Sequence, residues 1–335
     1  MKDFSKQLSG RHILVTGGAG FIGSNLVEQL LAIGCCVTVL DNFLTGKREN
    51  VAPFLGRPGF RLLEGDLRDL ECCRQAVDGV DAVLHQGALG SVPRSIANPL
   101  ETIGCNIQGF VNLVSAVKER GGVRIVYASS SSVYGDNRTL PAREEHIGRQ
   151  LSPYAISKYA DELFAANFHA LYGIDFVGLR YFNVYGQRQD PFGPYAAVIP
   201  LFAMKMLKGE RPVINGDGLI SRDFTYIANV VQANLLALTV TNPEALNRVY
   251  NIACEQTTTL NELFLALRDG LSAFRPELHE IEPVHGPERQ GDILHSQADI
   301  TLAREYLGYR PEVTVLDGLR LAAEWYYKKW LVASG

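Results

Sequence analysis

Thr16-Gly17-Gly18-Ala19-Gly20-Phe21-Ile22-Gly23 (TGGAGFIG) follows directly on the apolar run His12–Thr16 (HILVT) and opens a helical pattern over Phe21–Ile33. Gly17, Gly20 and Gly23 give the spacing GxxGxxG. At a strand–turn–helix junction, glycine permits the tight turn. It also lets backbone approach a pyrophosphate and allows the helix to pack close to the strand. The helix amino terminus then turns its partial positive charge toward the phosphates. A plain turn would use the same glycines, so the reading rests on what surrounds them.

Working outward, apolar runs at Cys36–Leu40, Phe60–Leu63, Ala82–His85 and Val123–Ala128 read as buried parallel strands. Helical spacing over Asp69–Val77 and Pro99–Arg120 fills the gaps between them. A further helix, Pro153–Tyr172, precedes another strand, Asp175–Arg180. The alternation predicts an α/β protein with a Rossmann-type, doubly wound parallel sheet. After about residue 185 the texture changes to Pro- and Gly-interrupted pieces. These predict a smaller carboxy-terminal α/β lobe that includes Ala196–Leu207, Leu260–Leu271 and Val315–Trp330. We assign residues 1–185 to the dinucleotide domain, with 225–255 rejoining it through the helical stretch Ile227–Val240. Residues 186–335 form mainly the substrate lobe.

Composition narrows the function. The net charge is -4, from 32 basic and 36 acidic side chains, which argues against a general nucleic-acid binder. No window approaches the roughly 20 apolar residues of a membrane span, and the polar amino terminus does not read as a signal peptide. The six cysteines (35, 36, 72, 73, 105 and 254) form no CxxC pair. We therefore expect free thiols in a reducing cytoplasm and no metal site.

Asp41 ends the second strand, where a carboxylate can bind both ribose hydroxyls of NAD and would repel the 2′-phosphate of NADP. Lys47 and Arg48 follow closely and pull the other way. Asp66 is placed either to reach the adenine edge or to cap the helix over Asp69–Val77. Gln86-Gly87-Ala88 ends the fourth strand, as a close cofactor approach or a simple turn. Tyr154 and Lys158 form Tyr-x-x-x-Lys on one helical face. A tyrosine normally titrates near pH ~10, and a nearby ammonium together with a positive nicotinamide favours its phenolate. The serines at 129–132 follow the fifth strand, at the carboxyl-end crevice where open α/β sheets bind ligands.

With these residues in hand, the chain resembles the extended short-chain dehydrogenase/reductases, and within them the UDP-hexose 4-epimerases. The resemblance is carried by Thr16–Gly23, Asp41–Gly46 (DNFLTG), Ser130–Gly135 (SSSVYG), Tyr154–Lys158 (YAISK), Arg180–Gly186 (RYFNVYG) and Ser221–Ile227 (SRDFTYI), and it covers nearly the whole chain. It implies NAD as cofactor. The implied contacts come from Gly17, Gly20, Phe21, Ile22, Gly23, Asp41, Asn42, Gly46, Asp66, Leu67, Gln86, Ala88 and Tyr181, beside Tyr154 and Lys158. It implies that Tyr154, as phenolate, takes the proton from the sugar 4-hydroxyl while Ser130, with Ser131, holds that oxygen. Lys158 orients the nicotinamide ribose. Hydride leaves C4 for bound NAD, and the transient 4-keto sugar turns over before hydride returns to its other face. Related dehydratases and decarboxylases carry an acid just after the catalytic Ser or Thr. Ser131–Gly135 has none, which favours epimerisation.

The same resemblance implies that Asn183, Asn215, Arg222, Arg289 and Asp292 hold the UDP moiety, with uracil passing Ala197 and Val198. Ser296 occupies a position that admits an N-acetyl group when small and excludes it when tyrosine. Gly90–Ser95 (GSVPRS) resembles the N-acetylhexosamine branch, in which Ser91 touches substrate. The expectation is interconversion of UDP-N-acetylglucosamine and UDP-N-acetylgalactosamine. The alternatives are UDP-N-acetylglucosaminuronate, UDP-glucose or UDP-glucuronate epimerisation and, in another class, a module that binds NAD without turnover. The family's pairing of Pro99–Arg120 and Pro153–Tyr172 across a two-fold axis implies a homodimer.

Overall fold

The computed structural model describes residues 3–193, 196–288 and 294–334. Seven strands lie in one parallel sheet of order β7-β6-β5-β4-β1-β2-β3. They are β1 (His12–Thr16), β2 (Cys36–Asp41), β3 (Phe60–Glu64), β4 (Ala82–His85), β5 (Arg124–Ser130), β6 (Phe176–Tyr181) and β7 (Arg248–Ile252). Successive side chains of a strand point to opposite faces, and here both faces are covered. Ile13, Val15, Val37, Val39, Leu84 and Val126 enter one buried cluster, whereas Leu14, Leu40, Val83 and Ile125 enter the other. That double burial is why the strands read as unbroken apolar runs.

Helix α1 (Phe21–Ile33) covers the first face with Leu26, Val27 and Leu30. α2 (Leu70–Ala76) covers the second. There follow α3 (Val92–Ala97), α4 (Pro99–Ile103) and α5 (Gly109–Glu119), and α5 sets Phe110, Leu113, Val114 and Val117 into the second cluster. α6 (Pro153–Tyr172) lies alongside them and packs on β5 and β6. Two differences from the sequence expectation have physical causes. The stretch Pro99–Arg120 is not a single regular helix: a π-helical turn over Gly104–Gln108 interrupts it and turns Asn106 inward. The cap of α2 is Asp69, whose carboxylate accepts from the Glu71 N–H at 2.8 Å, so Asp66 is not the cap.

Strand β7 (RVYNI) was not anticipated. Polar residues interrupt it, and buried Asn251 is satisfied by the Tyr134 hydroxyl (2.6 Å) and by the carbonyls of Ala142 and Asp299. Beyond β6 come α7 (Val198–Leu207), α8 (Ile227–Thr239), α9 (Leu260–Ser272) and α10 (Val315–Ser334). α8 is buried nearly all round and packs on α1, β5 and β6. α7, α9 and α10 pack on one another, beside short strand pairs that join Val213–Asn215 to Val284–Gly286 and Ser221–Arg222 to Thr258–Thr259. No helix among the described residues is long and apolar enough to cross a membrane.

Candidate active site

The sheet order reverses between β1 and β4, and ligands bind at such a switch point beyond the strand carboxyl ends. Gly17 has φ +66°, and a Cβ there would stand 2.7 Å from the backbone of Gly87 in the turn after β4. A Cβ on Gly23 would stand 2.1 Å from the Gly17 carbonyl oxygen, so the helix can close on the turn only with glycine. No side chain caps α1 at Gly20, so the first-turn N–H groups, from Phe21 and Ile22 onward, suit an anion.

Asp41 is buried at the end of β2. One carboxylate oxygen accepts from the Ala19 N–H (2.9 Å) and the other from the Phe43 N–H (2.8 Å). Burial raises its pKa, and these two N–H donors oppose the rise. Each oxygen keeps lone pairs for a ribose diol. Gly46 closes over this carboxylate, 2.8 Å from where its Cβ would lie. The two nearby cations are engaged elsewhere: Lys47 pairs with Asp190 at 2.6 Å, and Arg48 pairs with Glu64 at 2.6 Å and sits over Phe43. A ribose carrying a free 2′-hydroxyl fits this corner. Asp66 accepts from Asn42 (2.8 Å) and is clamped by Arg68 (2.6 Å), whose hydrogen bond holds its carboxyl down at about 2. Leu67 lies against Gly87. Gln86, beside Ala88, shares a buried cluster with the Tyr181 hydroxyl (3.3 Å) and Asn234 (3.2 Å). Burial pushes the Tyr181 phenol up to about 12. Its hydroxyl faces these two amides, a contact the sequence did not suggest.

Ser152 and Pro153 start α6, with the Ser152 hydroxyl accepting from the Ala155 N–H at 3.1 Å. Tyr154 thus falls in the first turn, half-buried, and Lys158 one turn later, with 2 % of its surface exposed. α6 packs against β5 and against the 3₁₀ turn Ser131–Tyr134. Ser130 stands at that junction, its Oγ accepting from the Ser132 N–H (3.2 Å) and hydroxyl (2.9 Å). Tyr154, Lys158, Ser130 and Ser131 therefore lie on adjoining elements at the carboxyl end of the sheet. Deeper in, Glu162 takes two hydrogen bonds from Arg180 (2.9 and 2.7 Å) and one from Ser129 (2.5 Å), which fixes α6 to β5 and β6.

A second cleft of about 340 Å³ is lined by Asn183, Ala197, Val198, Asn215, Arg222 and Phe224 among others. Five residues expected to touch UDP share this one cavity. Asn183 is held in the left-handed region (φ 34°) by donating to the Asp223 carbonyl at 2.9 Å. Ser296 is half-buried and is not among the residues that line the cavity; its N–H bonds the Ser221 carbonyl at 3.1 Å. Ser91 caps α3, accepting from the Arg94 N–H at 3.2 Å. Arg289 and Asp292 lie outside the described residues.

A strap joins crevice and cleft. Gln187 exchanges hydrogen bonds with Asn25 on α1 (2.7 and 3.2 Å). Arg188 pairs with Glu28 (2.9 Å), and Asp190 holds Lys47 beside the Asp41 loop. Gln189, between them, lines the cleft. Sequence reasoning also missed Asn106. Its side chain accepts from the Leu89 N–H (2.8 Å) and donates to Ser157 (2.9 Å), tying the turn after β4 to the helix of Tyr154. The asparagine stands in the π-helical turn, which no spacing rule exposes.

These surfaces define an α/β protein with a glycine turn at the switch point of its parallel sheet, a tyrosine–lysine pair on the helix beside it and a separate cleft. The model of the NAD dependent epimerase/dehydratase family matches residues 13–253. A UDP-N-acetylglucosamine 4-epimerase from Methanobrevibacter ruminantium, solved with UDP-N-acetylmuramic acid, is 38% identical. The match covers 96% of this chain and 99% of that one, with a TM-score of 0.88. The UDP-glucose 4-epimerase of Thermus thermophilus, solved with NAD, is 35% identical over 94% of this chain and 99% of that one, at TM-score 0.82. The UDP-glucose 4-epimerase of Mycolicibacterium smegmatis is 34% identical, over 94% and 98%. The chain belongs to the NAD dependent epimerase/dehydratase family, and NAD is its cofactor. The six cysteines are free, and no group of His, Cys, Asp or Glu among the described residues could hold a metal ion.

Proposed function

We propose that this protein interconverts UDP-N-acetylglucosamine and UDP-N-acetylgalactosamine by inversion at C4. The reaction type is NAD-dependent 4-epimerisation of a UDP-sugar. Bound NAD supplies a reversible hydride acceptor for sugar C4, so that a transient 4-ketone can be reduced on its other face. The glycine turn Gly17–Gly23, Asp41 and the Asn42–Asp66 corner bind the dinucleotide. Tyr154 takes and returns the proton of the 4-hydroxyl, Ser130 with Ser131 hydrogen-bonds that oxygen, and Lys158 holds the ribose. Asn183, Asn215 and Arg222, with Arg289 and Asp292, bind the nucleotide, and arginine's paired donors suit a diphosphate. Residues 1–185 with 225–255 serve the cofactor, and 186–335 mainly the substrate.

The observation that supports the choice of sugar is Ser296, a small, half-buried side chain whose backbone bonds the strand Ser221–Arg222, and Arg222 of that strand lines the cleft. Incubation with UDP-N-acetylglucosamine, UDP-glucose and their uronates, followed by chromatography of the products, tests it. The acetamido sugar should give the highest kcat/KM. Preference for UDP-glucose by a large margin would refute the acetamido assignment while leaving 4-epimerisation intact.

We also assign a homodimer. Ile96, Leu100, Ile103, Ile156 and Leu163 are exposed on α3, α4 and α6, which pack side by side, and Leu100 exposes 83 % of its surface. An apolar ridge of this kind is suited to burial against a second copy.

A further inference from the structure

Lys158 meets its countercharge on its own helix. Its Nζ lies 3.1 Å from Oδ2 of Asp161, and neither side chain reaches solvent: their side chains are 3 % and 0 % exposed. Oδ1 of Asp161 has no hydrogen-bond partner among the described residues. Every other charged or titratable group that faces the pair is neutral or already matched. Glu162, the next residue on α6, is taken by Arg180 of β6 and Ser129 of β5. His85 of β4 bonds Thr16 through Nδ1 (2.8 Å), and burial, with Lys158 nearby, holds the imidazole down at about 3, so it is uncharged. Burial keeps Tyr127 of β5 protonated. Tyr154 stands one turn before Lys158 on the same face. A buried ammonium without a partner is costly, and among the described residues Asp161 is the carboxylate that pairs with it.

We propose that Asp161 is a positioning residue for the Tyr154–Lys158 pair: its carboxylate holds the Lys158 ammonium in place and offsets part of the positive field at the Tyr154 hydroxyl. The proposal rests on the proton role given to Tyr154 above. Burial drives the Asp161 carboxyl up to about 6 against the pull of Lys158, so the offset operates in the neutral range and fades in acid. A negative charge favours the protonated forms of both neighbours. Its removal therefore moves both limbs of the pH profile the same way, downward. At the roughly 10 Å of two helical turns between Asp161 and Tyr154, and an effective dielectric near 20, the shift of the Tyr154 limb is about one pH unit.

The test compares holoenzymes of wild type, Asp161→Asn and Asp161→Glu. In the pH profile of kcat/KM on the best UDP-sugar, Asp161→Asn should lower the Tyr154 limb by about one unit and move the Lys158 limb in the same direction, and Asp161→Glu should restore the wild-type limbs. Unmoved limbs in a folded, NAD-bearing Asp161→Asn enzyme would overturn the proposal, as would equal shifts in both variants. Ultraviolet titration of the Tyr154 phenolate, taken as the difference from Tyr154→Phe, reads the same shift without turnover. An enzyme inactive on every UDP-sugar thus defeats the functional reading and leaves Asp161 to be decided separately. Wild type supplies a test independent of variant folding. Carboxyl infrared or ¹³C spectra must show Asp161 ionised at the pH of highest activity, and a protonated carboxyl there would overturn the assignment.

Discussion

At the scale of single residues, the chemistry concentrates on hydroxyls aimed by backbone. Tyr154→Phe keeps the ring and deletes the proposed proton carrier. Turnover should fall by at least about 10²–10⁴-fold, while the purified protein retains NAD, read by its absorbance after denaturation. Substantial residual epimerisation would remove Tyr154 from the proton role. Ser296→Tyr should cost acetamido substrates about 10–200-fold in kcat/KM and spare UDP-glucose, and a uniform loss would count against a steric gate. Tyr154, Lys158, Asp41 and Ser130 were legible because each stands at a spacing fixed by a turn or a helix period. Asn106 was not, and neither was the contact of Gln86 and Tyr181 with Asn234. Their partners, Ser157 and Asn234, come from elements far along the chain, and only folding brings the amides together. Asp66 could be read two ways from sequence because Asp69, three positions on, competes for the same cap.

At the scale of elements, six of the seven sheet strands could be read because each is apolar on both faces. The seventh, β7, escaped because Asn251 breaks its pattern and finds buried partners that no local rule foresees. The smaller lobe was legible only as texture. Its strands are two or three residues long, too short to show a period, and the tertiary contacts around the cleft define them. The helices α4 and α6 carry the apolar ridge that intrachain packing leaves bare. Leu100→Glu places a charge at its most exposed point without touching the crevice. Sedimentation should show the wild type as a dimer and Leu100→Glu as a monomer with NAD still bound. A wild type that sediments as a monomer at micromolar concentration would rule the ridge out as a subunit contact.

At the scale of the molecule, two binding surfaces are built from different stretches of chain, yet one short strap, Gln187 to Asp190, touches both. Its ties run to the helix after the glycine turn and to the loop beside Asp41, while Gln189 lines the cleft proposed to take the nucleotide. We expect order at one end of that strap to favour order at the other, and such coupling must be mutual. Calorimetry should find UDP binding weaker to NAD-stripped protein, by about 5–150-fold, and the difference should shrink in Asp190→Ala; equal affinities with and without NAD would uncouple the two. An enzyme built this way would meet a sugar nucleotide tightly only when its redox partner is already aboard. A half-loaded molecule would then let its guest go rather than hold it idle.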